Sequence, residues 1–245
     1  MTALLATENL SMHFGGVRAV NDVSLAIAEG ELRCLIGPNG AGKSTFFKCL
    51  TGQLKPTGGR IRWRGRDVTG YDSFAIARLG VGIKTQVPSL FDGLDVMESV
   101  VLALRRRHGE ADAQRRALAA LERLGVADLA EHEVGRLGHG QRQLVELAMV
   151  VAPEPDLIIL DEPTAGMSGE ETARTAALIR ELNRRHAIVV VEHDMQFIRA
   201  IAQTVTVFHQ GYVLMEDRVE RVLTDPRVRD VYLGKPAGPA GPARL

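Results

Sequence analysis

The sequence predicts an α/β fold: a parallel sheet flanked by helices, with an antiparallel β subdomain beside it and a helical subdomain inserted into it. Three observations carry this expectation. Short apolar runs rich in β-branched residues alternate with helical patterns, which is the order of a parallel sheet covered by helices. The first thirty residues and the stretch "GGRIRWRGRDV" (58–68) instead alternate polar with apolar, as an antiparallel sheet with one wet face does. From about Val96 to Leu124, and again from Gln141 to Val151, the pattern is helical, which places the insertion at about 88–150.

Taken in order, "LRCLIG" (Leu32–Gly37), "LIILDE" (Leu157–Glu162) and "AIVVVEH" (Ala187–His193) are near-continuous apolar runs. Strands buried on both faces read this way. A helix is expected after each, from about Lys43, Gly169 and Met195. "GVGIKTQ" reads as a further strand that ends on Gln86. The final "GKPAGPAGPARL" is rich in Pro, Gly and Ala, and 235–245 is expected to be a disordered tail.

Composition narrows the class. The 245 residues suffice for one large domain or two small ones, and 45% are hydrophobic, as a globular core requires. Lys plus Arg and Asp plus Glu number 30 each, so no excess of positive charge argues for nucleic acid as a partner. The longest apolar runs are too short to span a bilayer. "MTALLATENL" has no basic segment ahead of its apolar residues, so no signal peptide is expected. Cys34 and Cys49 fall in separate predicted elements, which fits a reducing compartment better than a disulfide framework.

Two motifs carry chemistry. "GPNGAGKST" runs through Gly37, Pro38, Asn39, Gly40, Ala41, Gly42, Lys43, Ser44 and Thr45, and matches G-x-x-x-x-G-K-[ST]. Its glycines let backbone N–H groups curl around a phosphate, Lys43 supplies charge to the β- and γ-phosphates, and Ser44 offers a hydroxyl to Mg²⁺. A predicted strand before the loop and a predicted helix after it supply the context the motif needs. The second motif is "LIILDEP". Asp161 and Glu162 end a buried strand, where open α/β sheets bind ligands. Asp161 suits an Mg²⁺ ion, and Glu162 suits polarisation of an attacking water. A lone histidine at a strand end is more often structural than catalytic, so the residues alone leave His193 open. "LGHGQRQ" (Leu137–Gln143) sets a histidine between glycines at the start of a helical run, where N–H groups and the helix dipole favour an anion.

Together these motifs resemble the ATP-binding cassette (ABC) ATPases, over about residues 4–234. The order matches: Walker A at Gly37–Thr45, the Q-loop at Gln86, the signature at Leu137–Gln143, Walker B at Leu157–Asp161 followed by Glu162, and the switch at His193. The resemblance implies a single cassette domain over 1–234 with a P-loop NTPase core, ATP and Mg²⁺ as substrate and cofactor, and Glu162, His193 and Gln86 as catalytic residues. It implies Ser44, Gln86 and Asp161 as the Mg²⁺ set and Phe14 as the ring stacked on adenine, although Phe14 also suits a core position. It further implies that Leu137, Gly138, His139, Gly140 and Gln141 face the γ-phosphate of ATP held by a second cassette. This chain departs from the family's LSGGQ pattern in having Gly138 for serine and His139 for the first glycine. Ser168 stands where many members carry aspartate. His139 is expected to top its loop and reach the partner's nucleotide.

The resemblance extends to partners. Two cassettes would meet head to tail, and a groove formed by the helical subdomain with Val87, Leu90 and Phe91 would receive a coupling helix of a transmembrane permease. "FGGVRAVNDVSL", "DEPTAGMS", "IVVVEHDM" and "DPRVRDVYLG" are similar to the hydrophobic amino acid uptake group, which imports branched-chain amino acids and, in some members, urea or short amides. The histidine in the signature is similar to the urea-type members. These importers imply a paralogous second ATPase, a periplasmic solute-binding protein acting indirectly, and a peripheral position on the cytoplasmic face of the inner membrane. The rival classes are non-transport ABC ATPases acting on DNA or ribosomes, which commonly carry paired cassettes or basic extensions, and exporter motors.

Overall fold

The computed structural model describes residues 3–86, 90–105 and 107–232, so Val87 and the tail expected at 235–245 lie outside the described residues. In chain order the elements are β1 (Leu5–Phe14), β2 (Val17–Ile27), β3 (Leu32–Ile36), α1 (Lys43–Leu50), β4 (Gly58–Trp63), β5 (Arg66–Asp67), α2 (Ser73–Arg78) and β6 (Val81–Lys84). The helical stretch follows, with α3 (Val96–Leu104), α4 (Glu110–Arg123) and α5 (His139–Val151). The chain then returns through β7 (Leu157–Asp161), α6 (Gly169–Leu182), β8 (Ala187–Val191), α7 (Met195–Ile201), β9 (Thr204–His209), β10 (Tyr212–Arg218), α8 (Val219–Thr224) and α9 (Pro226–Tyr232).

Two sheets result. One is six-stranded in the order β10-β9-β3-β8-β7-β6, parallel from β9 through β6 with β10 antiparallel at its edge. The other is four-stranded and antiparallel in the order β2-β1-β4-β5. Every residue of β3, β7 and β8 is buried, and the period of two explains why the runs are continuously apolar. Ile158, Leu160, Ile188 and Val190 face a core shared with α3–α7. Their neighbours Leu157, Ile159, Val189 and Val191 face a second core shared with α1 and the antiparallel sheet, which holds Phe46, Phe47 and Trp63. A carboxylate at the end of such a strand is therefore delivered to the sheet's edge by a backbone fixed on both faces.

The helical stretch differs in detail from the expectation. The run from Val96 to Leu124 is two helices. α3 opens on a capping box, in which the Asp95 side chain accepts from the Glu98 N–H and the Glu98 side chain accepts from the Asp95 N–H. The chain turns after Leu104, and α4 restarts beyond Gly109. α5 begins at His139, two residues earlier than its apolar periodicity suggests, with Gly138 at the N-cap. A buried ion pair ties this stretch to the sheet: Lys84 Nζ, at the end of β6, lies 3.3 Å from Glu146 Oε2 on α5. Sequence reasoning also missed the β9–β10 hairpin. Its two-residue loop, Gln210 and Gly211, has both φ angles positive, the geometry that matches the twist of paired strands.

Candidate active site

The carboxyl ends of the parallel strands bring four loops together. After β3, the Gly37–Thr45 loop enters α1 at Gly42, whose φ is +103°, and a Cβ there would collide with the Ala19 carbonyl. Only glycine fits both the angle and the approach. No side chain caps α1 and no acidic residue lies in its first turn, so its leading N–H groups and dipole are presented to an anion. Lys43 Nζ donates to the Gly37 carbonyl at 2.6 Å and to the Pro38 carbonyl at 3.1 Å, which holds the ammonium over the loop. Burial lowers the Lys43 pKa, while the Glu162 and Asp161 carboxylates oppose that shift.

Asp161 closes β7, and its carboxyl is pushed up first by burial and next by the charge of Glu162; Lys48, Lys43 and Lys84 pull it back. Glu162 sits one residue beyond the strand with φ +46°, a left-handed conformation uncommon for a residue with a side chain. Its N–H donates to the Val191 carbonyl at 2.9 Å, so β8 holds the turn in place. Gln86 Nε2 donates to Glu162 Oε2 at 2.8 Å, and His193 Nδ1 stands 3.5 Å from Glu162 Oε1. Both partners come from loops rather than strand ends. β6 stops at Lys84 and β8 at Val191, so Gln86 and His193 each stand two residues past their strands. The expectation that they end strands is corrected accordingly, and the extra reach lets both side chains turn toward Glu162.

The donor set suits a hard cation. Ser44, Gln86 and Asp161 offer hydroxyl, amide and carboxylate oxygens, and no cluster of three His, Cys, Asp or Glu side chains able to hold a metal occurs among the described residues. One carboxylate with neutral oxygens fits an ion that takes its remaining ligands from phosphate and water. Phe14, at the end of β1, is 48% exposed, which removes the core reading and leaves its ring free to stack. Sequence reasoning missed Tyr232 on α9, whose phenol meets the Gly37 backbone at the start of the phosphate loop. It also missed Glu192 and Thr164, whose charged or polar character carries no motif of its own.

The signature residues stand apart from this group. Leu137 packs against the helical core, Gly138 caps α5, and Gln141 Oε1 accepts from the Gly138 N–H at 3.0 Å. His139 is exposed at the head of α5 and turns its ring onto its own chain. Its Nε2 meets the Ala165 carbonyl at 3.0 Å and Gln143 Nε2 at 3.4 Å, so the ring lies against its own chain's loop after Glu162. A Cβ on Gly140 would strike the Glu171 carboxylate. Ser168 caps α6, its Oγ donating to Glu171 Oε2 at 2.8 Å and accepting from the Glu171 N–H at 3.4 Å. The serine at this position therefore builds a helix start.

A loop that cradles phosphate, a carboxylate pair at the end of a buried strand and two polar side chains trained on one of them define a P-loop ATPase, and its inserted helices make it a cassette. The family model described as "ABC transporter" matches residues 20–165, and the chain belongs to that family. The high-affinity branched-chain amino acid transport ATP-binding protein LivG of Salmonella typhimurium is 38% identical, the match covering 95% of this chain and 98% of that protein. BraF of Pseudomonas aeruginosa, which carries the same description, is 35% identical over the same shares. Among solved structures, the ADP conformation of MJ1267, an ATP-binding cassette of an ABC transporter, superposes with a TM-score of 0.88 at 26% identity, covering 96% of this chain and all of that one. The dimeric bacterial cassette MJ0796 gives 0.79 at 26% identity, covering 88% and 98%. This chain is thus an ATP-hydrolysing subunit of an ABC transporter. Among the described residues no helix is long and apolar enough to cross a membrane.

Proposed function

We propose that this chain energises an importer of branched-chain amino acids, acting as one cassette over 1–234 at the cytoplasmic face of the inner membrane. The observation that carries the catalytic part is the convergence of Gln86 and His193 on Glu162. In this reading the Walker A backbone and Lys43 bind the ATP phosphates, and Phe14 stacks on the adenine. Ser44, Gln86 and Asp161 would hold Mg²⁺, which neutralises phosphate charge when bound. Glu162 accepts a hydrogen bond from the attacking water and polarises it. Gln86 and His193 orient that carboxylate, and His193 faces the γ-phosphate.

The signature residues Leu137–Gln141 serve the nucleotide of a second cassette, either a paralogue or a second copy. A cavity of about 360 Å³ lies between α2, β6, α3 and α5, lined by Phe74, Ala103, Met149 and Val150 among others. Leu90 and Phe91, expected in the groove, do not line this cavity: Phe91 is 65% exposed, and Leu90 packs against the helical core. This apolar hollow at the junction of sheet and helices suits the coupling helix of a transmembrane permease, with a periplasmic binding protein supplying solute on the far side. The choice of solute rests on the likeness to LivG and BraF.

A second reading, import of urea or a short amide, is favoured by His139 in the signature. Disruption of the gene followed by uptake of radiolabelled leucine and urea separates the two. Loss of leucine uptake supports the first reading. Loss of urea uptake alone replaces it with the second.

A further inference from the structure

Glu192 is the most buried carboxylate among the described residues, at 1% exposure, yet the ATPase mechanism gives it no role. It lies between β8 and His193. Its oxygens are divided between two loops. Oε1 accepts from the Thr164 hydroxyl and, at 3.4 Å, from the Thr164 N–H. Oε2 accepts from the His193 N–H at 2.8 Å and the Asp194 N–H at 3.3 Å. Thr164 is two residues past Glu162, and Asp194 is the N-cap of α7. The four donors thus come from the loop that carries Glu162 and the loop that carries His193.

A carboxylate is costly to bury and only accepts hydrogen bonds. If either loop shifts, the charge loses donors that no solvent replaces, so the two loops are forced to move as one. The pair most affected is Glu162 and His193, 3.5 Å apart, with Glu162 in its left-handed turn. A conformation of that kind persists only when its surroundings impose it. From this geometry we infer that Glu192 is a positioning residue for ATP hydrolysis: its buried carboxylate locks the Glu162 loop to the His193 loop and sets the separation of those two side chains. The inference rests on the reading of Glu162 and His193 as the hydrolytic pair.

The test compares the full-length chain with its Glu192→Gln, Thr164→Val, Thr164→Ser and Glu162→Gln variants for kcat, KM, ATP affinity and melting temperature. Glu192→Gln puts an NH₂ where an acceptor is needed. It is expected to lower kcat by about ten- to a hundredfold, the range for a small misplacement of reacting groups, with ATP affinity and KM within about twofold. Thr164→Val, which keeps the shape and deletes one donor, is expected to cost kcat about tenfold, the worth of one hydrogen bond to a charged group at its weak end. Thr164→Ser restores the hydroxyl and is expected to stay within about twofold of the unmodified chain on the same ground. A role in folding alone would lower melting temperature and ATP affinity along with kcat, and would overturn the proposal. So would near-normal kcat in both Glu192→Gln and Thr164→Val, or a Thr164→Ser variant as slow as Thr164→Val. If Glu192→Gln does not fold, the two Thr164 variants decide by the same criteria. Loss of turnover in Glu162→Gln beside normal Glu192→Gln and Thr164→Val variants removes the lock and leaves the Glu162 assignment standing. Normal turnover in Glu162→Gln removes that assignment and the lock with it.

Discussion

The edge of the parallel sheet and the start of α5 both present groups to phosphate, but they are built differently. At the sheet edge, charges from separate loops already meet: Gln86 and His193 reach Glu162, and Lys43 lies within the field of Glu162 and Asp161. At α5 the contacts of Leu137–Gln141 stay within their own loop or reach the segment after Glu162, without touching Glu162, Gln86 or His193. Gln141 folds back on Gly138, and His139 rests on Ala165. Among the described residues no hydrogen bond or ion pair joins the signature to the hydrolytic group. One site is assembled within a single chain. The other is a helix end whose donors, in the proposed reading, meet ATP carried by a second cassette. Variants at the sheet edge should therefore fail in the isolated chain, whereas signature variants should fail only where two cassettes meet.

The largest effect is expected from Glu162→Gln. The amide keeps the shape but is a poor acceptor for a water proton, so turnover should fall by at least about a hundredfold, as removal of a general base does. ATP binding should persist, because Lys43 and the loop before α1 are untouched. Rate measurement beside an ATP titration checks both halves. Retained hydrolysis would move the base elsewhere.

Lys43→Ala should act on binding itself. The ammonium that spans the loop carbonyls at 2.6 and 3.1 Å would be lost, and the phosphates would lose a charge-assisted partner. A loss of about 2 kcal/mol, or some thirtyfold in ATP affinity, is expected for a hydrogen bond to a charged group. Unchanged affinity in a fluorescent-nucleotide titration would count against the assignment of this loop as the phosphate site, and the contrast between the two regions would go with it.

The comparison also explains what was legible in the sequence. Walker A was readable because its chemistry is backbone chemistry, and glycine spacing reports backbone directly; Gly42 at φ +103° against Ala19 is the physical form of that signal. β3, β7 and β8 were readable because burial on two faces leaves an unbroken apolar run. Side chains that act across loops were not readable. Nothing in "VVVEH" distinguishes a solvated glutamate from Glu192, buried and shared between two loops. The contact His139 makes was not readable for the same reason. Its sequence neighbours suggested a loop top, and its partner, Ala165, lies twenty-six residues away. The division of the Val96–Leu124 run was obscured because Arg105–His108 are as acceptable in a helix as beyond one, and Gly109, the N-cap of α4, was the one break signal in it.

Gly140→Asp tests the other side of the comparison. Its carboxylate would enter space already held by Glu171, whose own carboxyl is kept below the usual range chiefly by its hydrogen bonds to Ser168. Two like charges at a helix N-terminus facing phosphate should block closure on a partner's ATP. ATP binding by the single chain should match the unmodified protein, while ATPase activity in the assembled transporter should fall more than about tenfold, the cost of a like charge facing an anion at short range. Equal loss of ATP binding in the single chain would show that the start of α5 supports the sheet edge directly.

His139→Gly should have the smallest effect, and it sharpens the comparison most. The imidazole makes one close contact with the loop after Glu162, through Nε2 to the Ala165 carbonyl, and a weaker one to Gln143. The carbonyl is near an exposed side chain and can take water instead, so the loss is that of one ordinary hydrogen bond, about 1 kcal/mol or some fivefold. Glycine at the head of α5 also adds conformational freedom, at a cost of up to about 1 kcal/mol when inside a helix and less at its first residue. Turnover in the assembled transporter should therefore fall less than about tenfold, and ATP binding by the single chain should not change. His139→Gln gives the finer reading: an amide N–H that reaches Ala165 would restore the rate, whereas one that falls short would leave it at the glycine level. A loss as severe as that of Gly140→Asp would mean that the imidazole meets the partner's nucleotide after all, and that its contact with Ala165 is exchanged for that one when two cassettes close.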